Sequence, residues 1–290
     1  MPRTWEPTLT KNREMWERVR EGEILTDVLI VDAHTHMGPW YNFHVPDDHW
    51  ADGLIAAMNT CGIDFAVTTP HVGIGPDPVE GNRIAAEAVE THPDRFAAYC
   101  AVNPNYPEAE MRDQMEGSIA DGPCCAIKIH PTTHDYAAHG PAYEPMWSFA
   151  HENRLPVLVH TWGGDPLCGP LLFDDIARRY PGARIILGHS GASVSGIRES
   201  IQAAASRPNL YLDLTKSFMH QGLLEEMVAA VGPERVLFGT DVPFIDCRSQ
   251  IGYVASARIS EEEKRLIFGR NALELFRLSL PDPPVYVPGP

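Results

Sequence analysis

The sequence predicts an α/β fold, a single-domain (β/α)8 TIM barrel, on three observations. Short apolar, β-branched segments recur eight times, and helical patterning stands between them. The segments are apolar on both parities, as expected of parallel strands covered on both faces. The 290 residues suit one barrel of about 250 residues with short extensions.

The predicted strands are 28–34 (VLIVDAH), 65–70 (FAVTTP), 96–104 (FAAYCAVNP), 124–131 (CCAIKIHP), 156–162 (PVLVHTW), 184–191 (RIILGHSG), 210–215 (LYLDLT) and 236–241 (VLFGTD). Helices are expected over 47–61, where Leu54, Ile55 and Met58 form a stripe, and over 80–91, ending before Pro93. Others are expected over 142–153, 171–180, 193–206 and 223–231, with Asn153 and Gly182 as C-terminal stops. Ser260 opens a last helix whose first turn, Glu261 to Glu263, is acidic, as the helix dipole favours. An open doubly wound sheet is the rival architecture. No G-x-G-x-x-G follows the first strand, which weakens its dinucleotide-binding form. Residues 1–24 are expected to form an N-terminal arm outside a barrel spanning 25–278. Residues 279–290, with five prolines, are expected to be an extended tail.

A formal charge of −16 repels phosphate backbones and anionic lipid, so nucleic acid and membrane partners are not expected. The polar, charged N-terminus lacks the apolar core of a signal peptide, and no apolar run reaches the roughly 18 residues of a membrane span. The six cysteines show no C-x-x-C pair and are expected to be free or buried thiols in a reducing cytoplasm.

Active sites of such barrels sit at the carboxyl ends of the strands. The first strand ends in His34 and His36, the fifth in His160, the sixth in His189 and the eighth in Asp241. Residues i and i+2 of a strand share a face, so His34 and His36 can both aim into the barrel mouth. His160 would add a third nitrogen and Asp241 an oxygen. Imidazoles with a carboxylate suit Zn²⁺, and also Mn²⁺ or Fe²⁺. Singly, each residue has a plainer reading: a strand-end histidine is commonly a hydrogen-bonded rim residue, and an aspartate before Val-Pro a turn or helix cap.

The series VDAHTHMG (31–38), AIKIHP (126–131), PVLVHTWGG (156–164), RIILGHSG (184–191), VLFGTDVPF (236–244) and IFGRNALELF (267–276) resembles the amidohydrolase superfamily. Within it, the resemblance is to the amidohydrolase-related branch that includes aminocarboxymuconate-semialdehyde decarboxylase-like enzymes. The resemblance implies that His34, His36 and His160 ligate one divalent metal, most simply Zn²⁺. It implies that Asp241 is both ligand and proton carrier and that His189 is catalytic, although in some relatives the strand-six histidine itself ligates metal. It also suggests a homodimer or larger homo-oligomer.

Lys128 has three readings: a carboxylated bridge between two metals, a partner for a substrate carboxylate, or a structural ion pair. Trp40, Tyr41, Trp162 and Phe244 would wall the pocket with aromatic surface suited to a ring substrate, and His71 could contact that substrate. Plain loop packing is the alternative for each. The glycines of 71–82 have no Lys-Ser/Thr after them, so that segment reads as a site loop. Cys247 has no base beside it in sequence.

The activity expected from this reading is hydrolysis, with metal-bound hydroxide attacking an amide, lactone or imide carbonyl of a small, cyclic or aromatic substrate. The alternative is non-oxidative decarboxylation of an aromatic or unsaturated carboxylic acid at the same metal. A third, non-catalytic reading, a barrel that only binds, would require a lost ligand, and none is missing.

Overall fold

The computed structural model describes residues 13–41, 44–45, 48–120, 122–215, 220–282 and 284. Eight parallel strands run in sequence order: β1 (Val31–Met37), β2 (Phe65–Pro70), β3 (Phe96–Ala101), β4 (Cys124–Ile129), β5 (Pro156–His160), β6 (Arg184–Gly188), β7 (Leu210–Asp213) and β8 (Val236–Leu237). Each pairs with the next. The barrel closes between β8 and β1 through backbone bonds from Ala33 N to Phe238 O (2.9 Å), Asp241 N to His34 O (2.8 Å) and His36 N to Val242 O (2.9 Å). The TIM barrel expected from the alternation is the observed fold.

Parity within the strands decides what lines the interior. One inner layer is apolar: Phe65 and Val67, Ala97 and Tyr99, Ala126, Leu158, Ile186 and Leu237 pack together, joined by Leu275 and Phe276 of the helix Asn271–Phe276. Two residues further along the same strands, the same face carries Thr69, Lys128, His160 and Gly188. The opposite faces build a larger core against the surrounding helices. β1 departs from this rule. Val31 and Ala33 belong to the inner apolar layer, and the register with β2 shifts between Asp32 and Thr35. The shift re-aims the strand so that His34 and His36, rather than Thr35, reach the interior.

Most expected helices are present, including Leu223–Val231 with the expected bounds. Among the described helices of six or more residues, three others went unread in the sequence: Met15–Arg20, Glu108–Met115 and Cys247–Ser256. Glu108–Met115 buries only Met111 and Met115 and is charged over the rest of its surface, which erases the apolar stripe. The expected strand 236–241 is shorter, pairing with β7 at Val236 and Leu237 only. Beyond it the chain turns through Asp241 at φ +67°. Residues 1–12 of the expected arm, and 283 and 285–290 of the expected tail, lie outside the described residues. Among the described residues no helix is long and apolar enough to cross a membrane.

Candidate active site

Three of the four expected ligands converge. The ligating atoms of buried His34, His36 and Asp241 lie within 4.8 Å of one another. His36 Nε2 is 3.3 Å and His34 Nε2 3.8 Å from Asp241 Oδ1.

The hydrogen bonds on the far sides of the rings decide which nitrogens are free. His36 Nδ1 lies 2.9 Å from the Thr69 carbonyl oxygen. A carbonyl only accepts, so Nδ1 carries the proton and Nε2 keeps its lone pair. His34 Nδ1 donates to Asp213 Oδ2 at 2.8 Å, and its Nε2 accepts from Lys128 Nζ at 3.0 Å. An ammonium has no acceptor, so this bond fixes the same tautomer from the other end. Two imidazole lone pairs thus face one carboxylate oxygen. That arrangement repels unless a positive charge lies among the groups: the Lys128 ammonium already at His34 Nε2, an added proton or a metal cation. Two nitrogens and one oxygen, with their outer ring N–H groups anchored by a carboxylate and a carbonyl, fit a divalent transition metal.

Asp213 holds this arrangement and was not singled out in the sequence. Fully buried at the end of β7, it accepts from His34 Nδ1, His189 N (2.9 Å), Thr215 N (3.0 Å) and Thr215 Oγ1 (2.8 Å). The available signal was a lone carboxylate closing the apolar run LYLD, at the same strand-end level as the histidines. Asp32 plays a related part between β1 and the strand-eight turn. It accepts from His34 N (3.1 Å), Thr240 N (3.1 Å) and Thr240 Oγ1 (2.5 Å). Burial pushes its carboxyl well up, against the pull of those bonds.

Two site residues hold left-handed backbone conformations: His189 at φ +59° and Asp241 at φ +67°. For residues with a β-carbon this costs on the order of 1–3 kcal/mol each. The main-chain bonds of His189 N to Asp213 and of Asp241 N to His34 O hold them there. His189 Nδ1 lies 3.2 Å from the Thr215 carbonyl, which leaves its Nε2 lone pair free. Its ring centre is 5.0 Å from that of His34 and 4.8 Å from that of His160.

Electrostatics follow from burial. Desolvation, reinforced by Lys128, drives His34 well below its ordinary range, and desolvation also lowers His189. Burial lowers the Lys128 ammonium to about 8, with Asp241 and Asp213 opposing the shift. Burial acts to raise Asp241 but is outweighed by the neighbouring His36, His189 and His34, which hold its carboxyl below the ordinary range.

The remaining expected residues fall around this centre. His160 is on the same rim but outside the three-residue cluster. Its ring stacks on His130 at 3.9 Å and 11°. His71 packs between His36 (4.8 Å) and Phe244 (4.2 Å), with Trp40 5.3 Å away. Its Nδ1 donates to the Gly38 carbonyl at 2.6 Å, and its Nε2 is buried with no hydrogen-bond partner among the described residues. Trp40 also faces His130 and Phe244, each at 6.3 Å. Trp162 stacks beside His160 at 6.1 Å but is 46% exposed, and Tyr41 is 82% exposed. Trp40, His71 and Phe244 therefore form one wall, and Tyr41 and Trp162 lie further out.

Close packing at this level makes Gly239 a sensitive position. A Cβ there would overlap Thr215 Oγ1 and Asp213 Oδ1 and come within 3.0 Å of His34 Cβ. Gly239→Ala is expected to destabilise the fold by about 1–3 kcal/mol and to lower metal content, read by chemical denaturation and elemental analysis. Unchanged values of both would refute the packing described.

A family model for amidohydrolases matches residues 31–278. A gamma-resorcylate decarboxylase of Polaromonas sp. is 28% identical over 282 residues, covering 80% of this chain and 85% of the relative. A crystal structure of a 2,6-dihydroxybenzoate decarboxylase with 2,6-dihydroxybenzoate superposes with a TM-score of 0.65 at 18% identity, covering 86% and 98% of the two chains. A 5-carboxyvanillate decarboxylase from Novosphingobium aromaticivorans, complexed with manganese and 4-hydroxy-3-methoxy-5-nitrobenzoic acid, superposes at 0.66 and 17% identity, covering 88% and 97%. These relatives overturn the expected hydrolase, since the activity named in each is decarboxylation. The error has a chemical origin: a ligand series reports what can hold a cation, and the reaction class does not follow from it. From the match over residues 31–278, the chain belongs to the amidohydrolase family.

Proposed function

We propose that this protein is a metal-dependent, non-oxidative decarboxylase of a hydroxylated aromatic carboxylic acid. The observation that carries the reading is the adjacency of two features. The His34, His36 and Asp241 cluster borders a wall of flat rings, with Phe244 6.2 Å and His71 4.8 Å from His36. An aryl carboxylate can lie against that wall with its charged end at the cluster.

In this reading His34, His36 and Asp241 hold the metal, with His160 as a further ligand from the same rim. The ion is Zn²⁺ or Mn²⁺, and when bound it neutralises and orients the substrate carboxylate and a neighbouring ring oxygen. Asp213 and the Thr69 carbonyl keep both ligating lone pairs turned inward. Lys128, drawn off His34 Nε2, pairs with the substrate carboxylate. Trp40, His71 and Phe244 fix the ring plane, and Tyr41 and Trp162 serve the outer rim. His71 Nε2, an acceptor without a partner among the described residues, receives a hydrogen bond from a ring hydroxyl.

Asp241 Oδ2 takes the proton of the ring hydroxyl and delivers it to the ring carbon that bears the carboxylate. The bond to the carboxylate then breaks, its electron pair returns to the ring, and CO2 leaves. The phenolate product regains a proton from solvent. His189 stabilises the charge that develops on the ring oxygen.

The test is CO2 release from 2,6-dihydroxybenzoate, 5-carboxyvanillate and other ortho-hydroxylated benzoates, with the ring product identified by chromatography. Treatment with a chelator is expected to abolish release, and Mn²⁺ or Zn²⁺ to restore it. Undiminished turnover by protein shown to be metal-free would sink the reading, as would no release from any hydroxybenzoate by metal-loaded protein.

A further inference from the structure

Cys61 ends the helix Ala51–Cys61, and Cys247 opens the helix Cys247–Ser256. They are 186 positions apart in sequence, yet their sulfurs lie 2.8 Å apart and both residues are buried. None of the other four cysteines has a sulfur as hydrogen-bond partner. Cys100 and Cys125 face backbone carbonyls, and Cys168 faces Thr132 Oγ1. A sequence without Cys spacing motifs gave no hint of this pair, because the contact joins two helices from opposite ends of the chain that the closed barrel sets side by side.

We propose that Cys61 and Cys247 form a dithiol that a hydroperoxide oxidises to an intramolecular disulfide. The bond would tie the helix after β1 to the turn that carries Asp241 and Phe244. Going from a 2.8 Å contact to a bond of about 2.0 Å asks for less than 1 Å of approach, roughly within side-chain rotation. The two sulfurs have unequal roles. Either sulfur can donate across this contact; with Cys247 as the donor, the bond holds the Cys61 thiol below its ordinary range against the effect of burial. The same bond, with burial, raises Cys247.

Cys61 therefore attacks the O–O bond. With hydrogen peroxide as oxidant, its sulfur becomes a sulfenic acid and the first water leaves. Cys247 then attacks that sulfur, the S–S bond forms, and the hydroxyl departs with the Cys247 proton as a second water. Two electrons pass from the sulfurs to the peroxide, and both oxygens end as water.

The test treats the full chain under native conditions with a few equivalents of hydrogen peroxide. The chain is then unfolded, alkylated and mapped by peptide mass spectrometry. Of the six cysteines, four are expected to alkylate, and one linked peptide is expected to join Cys61 to Cys247 and to disappear on treatment with dithiothreitol. Cys61→Ser is expected to leave the five remaining thiols alkylatable, and Cys247→Ser to leave four alkylatable with Cys61 trapped as a sulfenic acid by dimedone; if either fails to fold, the wild-type map still decides. The oxidised chain should melt about 5 °C higher than the reduced one, because the cross-link closes a long loop in the unfolded state. Six alkylated thiols after oxidation, or a disulfide between another pair, would overturn the assignment. A melting temperature that stays level or falls would also overturn it, since the bond would then form only by distorting the fold.

Discussion

Asp241→Asn is expected to lower kcat for decarboxylation by about 10²–10⁴-fold, the usual contribution of a positioned proton carrier. The substitution keeps size and shape. It also keeps the main-chain bond from residue 241 to the His34 carbonyl, and asparagine adopts the left-handed backbone at φ +67° more readily than most residues. What it removes is the charge that His34 Nε2 and His36 Nε2 face at 3.8 and 3.3 Å, and the group that would carry a proton to the ring. Rates should be measured as CO2 release by protein of matched metal content, with thermal melting to check the fold. A kcat within a few-fold of the parent, at equal metal loading, would remove Asp241 from the proton-carrying role.

Asp213→Asn should weaken metal affinity by about 10–100-fold, although Asp213 is not itself in the three-residue cluster. The carboxylate accepts the His34 Nδ1 proton at 2.8 Å. An amide N–H placed there would face that proton donor to donor. The imidazole is then driven to move its proton to Nε2, which removes the lone pair meant for the cation. If the amide turns its oxygen to His34 instead, its N–H meets Thr215 N and Oγ1, now left at 3.0 and 2.8 Å from a donor. One buried bond is lost in either orientation. A stability loss of about 1–3 kcal/mol should accompany the weaker metal binding. Chelator competition reads the affinity and urea denaturation reads the stability. Parent-like affinity would show that the His34 tautomer is set by Lys128 alone.

The parts of the site that were legible in the sequence are those set by strand parity. His34 and His36 share a face because they are two apart on a strand. Asp241 was placed at the rim because it follows VLFGT, and Lys128 shares the inner face of β4 with Ala126, two residues before it. The aromatic wall was partly legible: Trp40, His71 and Phe244 do come together, whereas Tyr41 and Trp162 extend outward. Asp213 was hidden because a carboxylate in LYLDLT reads as an ordinary strand end until its four donors are in place. The reaction class was misread for a related reason. Ligand motifs report what holds a cation, and hydrolysis and decarboxylation can both use one.

By itself, then, the sequence determined the barrel and the shared face of His34 and His36, since alternating strands and helices and a two-residue period are properties of neighbouring positions; that this face is the inner one depends on the register shift in β1. The tertiary structure alone decided which nitrogens of those histidines are free. That depends on Asp213, Thr69 and Lys128 meeting the rings across gaps of 179, 33 and 94 positions. Those meetings follow from closing eight strands into a ring, and local sequence carries no record of which side chains the closure opposes.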